Sequence, residues 1–82
     1  MLPSNTRLTE IITVYHSAEE FINNVIFNFS DGTCKQLGWD KYRGRTESIV
    51  LAENECLVGA KIEHSKNFLM AITWITTKKM RI

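Results

Sequence analysis

Hydrophobic and polar residues alternate along most of this chain, with the period of two that strands show rather than the 3.6 of a helix. In residues 21–30, for example, Phe21, Val25, Phe27 and Phe29 fall on one side of a strand, and Asn24 falls on the other. Alternation of this kind is typical of a strand with one buried face. No apolar stripe at helical spacing extends beyond a single turn. The pattern therefore predicts an all-β chain.

The alternating runs predict six strands separated by short polar turns. The strands span residues 8–15, 21–30, 33–37, 47–51, 55–63 and 68–77. Asp31-Gly32 predicts a two-residue hairpin, because both residue types tolerate a positive φ angle. We expect a loop at residues 38–45 and turns at residues 52–54 and 65–67. Short connections with no crossover helix predict antiparallel sheets.

The second and last strands carry the bulkiest apolar residues, so they predict the core. We expect Phe27, Phe29, Ile72 and Trp74 to be well buried. Trp74 is accordingly interpreted as a packing residue rather than as a platform for a ligand. One domain is predicted over residues 8–79, between a flexible N-terminal segment, 1–7, and a C-terminal tail, 80–82.

Composition narrows the classes of function. The net charge of +1 provides no field that would draw nucleic acid, and no apolar run approaches the roughly 20 residues of a membrane helix. Cys34 and Cys56 are too few for a disulfide framework and wrongly spaced for zinc. Free thiols and a cytoplasmic location are therefore expected, since residues 1–7 contain no apolar signal-peptide region.

Enzyme activity and a cofactor are not expected from this sequence. It contains no nucleophile elbow, no phosphate-binding loop and no paired-carboxylate motif. His16 and His64 lie beside turns without the further ligands that a metal site needs. The sequence instead favours a protein that acts by binding.

Three segments resemble jacalin-type lectins in order and in spacing. Residues 22–33 (INNVIFNFSDGT) are similar to that family's I-D-S-I-Q-F-x-Y-S-D-G-T hairpin. Residues 49–59 (IVLAENECLVG) are similar to its V-x-L-x-x-x-E-x-I-x-G corner. Residues 68–78 (FLMAITWITTK) are similar to its I-x-S-L-x-F-x-T-N-K segment. Together the similarity extends over nearly the whole predicted domain.

The resemblance implies a β-prism, in which three four-stranded Greek keys surround a pseudo-threefold axis. This chain has no counterpart of the family's glycine-rich first strand or of its C-terminal Greek key. We therefore expect an incomplete prism that a second copy completes, or a piece of a longer chain. The segments that form the family's main sugar site are the ones without a counterpart, so that site is not carried over.

The resemblance also implies additional sugar sites on equivalent loops of the other two Greek keys. In the loop at residues 66–70, Met70 stands in place of the family's ligand aspartate, so we exclude that loop. In the loop at residues 19–23, Asn23 stands in place of the aspartate. An amide that shares sugar hydroxyls, beside an aromatic ring such as Tyr42, is the chemistry that sugar recognition needs. The candidate carbohydrate-binding residues are Glu19, Glu20, Asn23, Asn24, Trp39 and Asp40.

Two functions remain open at this point. One is a carbohydrate-binding, lectin-like module, which is what the family resemblance implies. The other is a non-enzymatic protein-interaction or assembly module that keeps the prism scaffold and has lost sugar binding. The alternative to a sugar site in the 19–23 loop is a solvated polar turn, because Glu19 stands where the family has a glycine. Binding to a glycan array distinguishes the two functions.

Overall fold

The computed structural model describes residues 6–18, 21–38, 41–78 and 80–81. These residues form seven strands and no helix, and every strand pairing is antiparallel, so the predicted all-β antiparallel class is confirmed. No helix in the described ranges is long and apolar enough to cross a membrane. The strands are β1 Leu8–His16, β2 Ile22–Phe29, β3 Cys34–Gln36, β4 Arg43–Val50, β5 Leu57–His64, β6 Leu69–Thr76 and β7 Met80–Arg81.

The strands form two sheets. Sheet A has the order β3-β2-β1-β4, and sheet B has the order β5-β6-β7. In sheet A, three strands joined in succession are followed by a fourth that returns to lie beside the first, which is the order of a Greek key. Sheet B is a meander. The two inner strands of sheet A, β1 and β2, contain most of the buried apolar residues.

The core lies between the two sheets, where β2 faces β6. Trp74 is 8% exposed and packs edge-on against Phe27 with 5.8 Å between ring centroids, so its predicted packing role is confirmed. Phe27, Phe29 and Ile72 are only partly buried, however, because they lie at the margin of the contact between the sheets. The buried cluster consists of Ile11, Tyr15, Ile22, Val25, Leu51 and Trp74.

A β-bulge at the start of β2 changes which side chains reach the core. Val14 pairs with Asn24, but the next residue, Tyr15, pairs with Ile22, so Asn23 is an extra residue in β2. The inserted residue turns Ile22 onto the core face, although simple alternation places it on the face opposite Val25. The period-two pattern does not register an insertion, so alternation alone places Ile22 on the wrong face.

Two predicted loop boundaries also differ from the structure. β4 begins at Arg43, inside the predicted 38–45 loop, because Gly44 lets the chain approach β1 closely. A Cβ at Gly44 would lie 2.8 Å from the backbone oxygen of His16. The Asp31-Gly32 hairpin has a three-residue loop, in which Gly32 N donates to Phe29 O and only Gly32 has a positive φ, of 88°. This is a type I turn followed by a bulge, rather than the expected two-residue turn.

The segment between β4 and β5 joins the two sheets. The predicted turn at 52–54 is confirmed by a 3.0 Å hydrogen bond from Glu55 N to Ala52 O. The Glu55 side chain is 3% exposed; it accepts hydrogen bonds from Ala52 N, at 3.0 Å, and from the hydroxyl of Thr76 in β6. A buried carboxylate therefore connects this turn to sheet B. Both cysteines, Cys34 and Cys56, are free and exposed.

Candidate ligand-binding surface

The predicted sugar-binding residues belong to two connections, β1–β2 and β3–β4. Glu19, Glu20, Trp39 and Asp40 lie outside the described residues. Asn23 and Asn24 lie at the start of β2, directly after Ile22. The described parts of both connections nevertheless show how the two are arranged relative to each other.

Asn23 connects these two loops. Its side-chain Nδ2 donates a 2.6 Å hydrogen bond to the backbone oxygen of Lys41. Gly38 also passes directly over this point, since a Cβ there would lie 2.5 Å from Asn23 O. Its φ of 143° is a second reason for glycine. The β1–β2 and β3–β4 loops therefore meet at one end of sheet A, with Asn23 half-buried between them.

Asn24 points into the sheet and not toward this surface. Its side chain is 1% exposed, and its Nδ2 donates to Gln36 Oε1 at 2.8 Å. Among the described residues, none hydrogen-bonds to its Oδ1. In this position Asn24 fixes β2 to β3 and lies out of reach of a ligand on the surface.

An aromatic row, defined as Tyr42, His16, Phe21 and Phe68, extends across the same end of the molecule. Ring centroids are 5.2 Å apart between Tyr42 and His16, and 4.9 Å apart between His16 and Phe21. Phe21 stacks on Phe68 at 4.5 Å with 19° between the ring planes. The two ends of the row are exposed, with Tyr42 at 58% and Phe68 at 49%. The row therefore presents rings to solvent while its centre is partly buried.

Backbone hydrogen bonds hold the row in place. His16 N donates to Phe21 O at 3.0 Å, and Ser17 N donates to Tyr42 O at 2.7 Å. The His16 ring accepts a 3.0 Å hydrogen bond from Ala18 N at Nδ1, which leaves Nε2 as the donor nitrogen. Tyr42 has a φ of 62°, a left-handed conformation that is uncommon for a residue other than glycine. Such strained positions are concentrated at functional sites.

Phe68 comes from the loop that sequence analysis excluded. The chain turns tightly between β5 and β6, where Ser65 N donates to Phe68 O at 2.9 Å. That loop was excluded as a sugar site because of Met70, but Phe68 two residues earlier adds a ring to the surface. His16, Phe21 and Phe68 were not predicted as site residues, because their contacts join two loops and two sheets. The one sequence feature that could have indicated these three as site residues is that each lies beside a turn.

Electrostatic interactions near the row involve Tyr15 and β4. The Arg45 guanidinium lies 3.7 Å from the centroid of the Tyr15 ring and binds Glu47 at 3.1 Å. Burial raises the pKa of the Tyr15 hydroxyl, and the hydrogen bond and negative charge of Glu47 raise it further, while Arg45 opposes this effect. Tyr15 is therefore a neutral packing residue at physiological pH.

The groups available at this end of the molecule can bind a ligand. They include aromatic rings, an amide and the Lys41 ammonium, which lies 5.1 Å from the Tyr42 ring centroid. In the part of the chain that the structure describes, no three His, Cys, Asp or Glu residues come together to hold a metal ion.

Comparison with known proteins identifies no relative. No protein-family model matches the chain, and no curated protein matches its sequence. The likeness to jacalin-type lectins therefore rests on the three sequence segments.

Proposed function

We propose that this chain is a carbohydrate-binding, lectin-like module, and that its ligand surface is the aromatic row together with Asn23. The observation that carries the proposal is the meeting of three loops, which exposes Tyr42 and Phe68 beside a fixed amide. A sugar ring offers C–H faces that pack on aromatic rings and hydroxyls that bond to amide groups. The row offers both kinds of contact within one surface.

The scaffold in this proposal is a partial β-prism related to jacalin-type lectins. Its support is the order and spacing of the three similar segments, together with the Greek-key order of sheet A. Residues 22–33, one of the three similar segments, form β2 and the turn that joins β2 to β3. The loops of the row lie at the ends of the strands, where lectin-like folds place binding loops. The module acts by binding and catalyses no reaction.

Tyr42 provides the sharpest test of the proposed surface. Tyr42→Asn removes the ring but keeps a residue type that tolerates positive φ, whereas Tyr42→Phe keeps the ring. A glycan array with the parent protein identifies a ligand, and titration calorimetry then compares the variants. We expect Tyr42→Asn to weaken binding roughly 3- to 10-fold, the value of one aromatic contact, and Tyr42→Phe to stay within about 2-fold.

Asn23→Ala tests the polar part of the same surface. We expect weaker glycan binding together with a modest fall in melting temperature, because the half-buried Asn23 amide also donates to Lys41 O and joins the two loops. Unchanged affinity for a glycan that the parent binds would place the sugar site elsewhere. Asn24→Ala is the matched control, because its buried amide should affect stability and leave the surface chemistry intact.

A second candidate function is protein assembly on the same scaffold. The exposed apolar residues of β5, Val58 at 63% and Ile62 at 57%, favour it, because they lie outside the aromatic row and leave apolar side chains uncovered on an edge strand. If the parent protein binds no glycan at millimolar concentration, assembly becomes the better account of its function.

A further inference from the structure

Strand β5 is an edge of sheet B, with β6 on one side. On its other side, no strand in the described part of the chain pairs with it. An edge of this kind presents backbone N–H and C=O groups that readily pair with another chain. Residues 60–64 of β5 are all exposed, which is the longest exposed run in any strand of sheet B. The edge is therefore open both along its backbone and over its side chains.

The apolar side chains of this edge are also uncovered. Ile62 pairs with Ile72, and Ala60 pairs with Trp74, so all four share the face that borders the core. Trp74 is buried, yet Ile62 is 57% exposed because sheet A does not cover this part of β5. An open edge strand that also exposes apolar side chains readily pairs with another chain. Both features of β5 therefore favour a partner strand.

The charges on β5 indicate what covers it. Lys61 and Glu63 lie on the face opposite Ile62 and flank it in sequence. In an antiparallel pair of two β5 strands centred on Ile62, Lys61 lies opposite Glu63 of the second copy, and Glu63 lies opposite its Lys61. Both ion pairs form at once, and the two Ile62 side chains meet on the other face. Directly opposite residues in such a pair have Cβ atoms about 4.5–5.5 Å apart, close enough to interact.

The other edges are less suited to a partner. In β4, Arg45 already binds Glu47 and stacks on Tyr15, so these charges are used within the chain. β3 has three residues and β7 has two, which gives little length for pairing. A lone lysine on an edge strand usually discourages pairing. In β5 its effect is reversed, because the symmetric partner places a glutamate opposite it.

We propose that β5 pairs with β5 of a second copy of this chain, in an antiparallel two-fold interface centred on Ile62. The pairing joins two sheets B into one continuous sheet of six strands, with the same surface used by both copies. It also covers Ile62, the large exposed apolar side chain on the core-bordering face. The inference goes beyond the proposed sugar binding, since the aromatic row takes no part in it.

Charge reversal tests this register directly. Lys61→Glu alone places like charges opposite each other twice in each dimer, and Glu63→Lys alone does the same. The double variant Lys61→Glu/Glu63→Lys restores both ion pairs with the charges exchanged. Sedimentation equilibrium should show a dimer for the parent, about a tenfold or greater rise in the dimer Kd for each single variant, and recovery in the double variant.

Lys35→Glu is the matched control. It makes the same charge change at an exposed position on another edge strand, β3, and should leave the dimer Kd within about twofold of the parent. Circular dichroism confirms that each variant is folded, as expected for exposed positions. A parent that stays monomeric at about 100 μM, a series of larger species in place of a dimer, or a double variant as weak as the single variants would each overturn the proposal.

Discussion

The aromatic row and the β5 edge both expose large apolar side chains, but they are built differently. The row consists of loop residues whose positions are fixed by ring contacts and by backbone hydrogen bonds such as that from Ser17 to Tyr42. The β5 edge consists of a regular strand whose outer side has no described strand beside it. The first surface is therefore ordered before any ligand arrives. The second would be completed by the proposed pairing with another strand.

This difference assigns the two surfaces to different kinds of partner. A preorganised group of rings with one amide suits a small ligand, because little conformational freedom is lost on binding. A strand edge suits another strand, because backbone groups supply most of the contacts and side chains set the register. Exposure of apolar side chains alone does not distinguish these cases. What distinguishes the two surfaces is whether the backbone beneath these side chains already has hydrogen-bond partners.

The largest expected effect is a difference in the free energy of unfolding between a variant of a core isoleucine and a variant of the isoleucine on the β5 edge. Ile11→Ala should lower the free energy of unfolding by about 2–5 kcal/mol, because Ile11 is 1% exposed in the core cluster. Ile62→Ala should change it by no more than about 0.5 kcal/mol when measured by urea denaturation of the monomer, because Ile62 is 57% exposed. Equal losses in the two variants would show that β5 is covered within a single chain.

A smaller effect tests whether the aromatic row is a connected unit. Phe21 and Phe68 stack at 4.5 Å and directly precede strands of different sheets, β2 and β6, so a double-mutant cycle with alanine measures their coupling. We expect a coupling of about 0.5–1.5 kcal/mol in the free energy of unfolding. The pair Phe21 and Tyr42 is a suitable reference, because His16 lies between their rings. Additive losses for Phe21 and Phe68 would show that the row is not held together across the sheets.

The smallest effect concerns the hairpin at the opposite end of sheet A. Hydrogen bonds from the Thr33 hydroxyl and backbone N–H hold the pKa of Asp31 below its ordinary value of 3.8. A lowered pKa in the folded state stabilises the protein above the unfolded pKa, and the contribution is lost as pH falls through the folded value. Asp31→Asn keeps an acceptor oxygen but no charge. Its melting temperature should be slightly below the parent's at pH 7, and the difference should shrink as the pH falls below 3.8. A difference that does not depend on pH would assign it to something other than the charge.

The sequence predicts the strands well because alternation is a local property. The ranges 8–15, 21–30 and 68–77 agree with β1, β2 and β6 to within one residue at each end. β4 began earlier than predicted because its first residues are polar, and their pairing with β1 depends on Gly44. The burial of Phe29 was overestimated for a related reason. Alternation identifies a face of a strand, but it does not say whether another sheet lies over that part of the face.

The candidate surface could be predicted only in part. Asn23 was proposed from the resemblance, because it stands in place of the family's aspartate, and Tyr42 was expected at the rim. Asn24 was grouped with Asn23 as part of a loop, but both residues belong to β2, where neighbouring side chains point to opposite faces and Asn24 is buried. Phe68 was missed because its contact with Phe21 joins residues 47 positions apart in the chain. The packing of one sheet against the other is what brings these residues together.

The proposal that sugars bind at the aromatic row makes the β5 edge a separate surface. Backbone amide NMR shifts, followed while a glycan identified by the array is added to the ¹⁵N-labelled protein, test this most directly. We predict that the amides of His16, Phe21, Asn23, Tyr42 and Phe68 shift together with one affinity, while those of Lys61, Ile62 and Glu63 stay unchanged. Shifts centred on β5, or no saturable shift at the row, would contradict the claim.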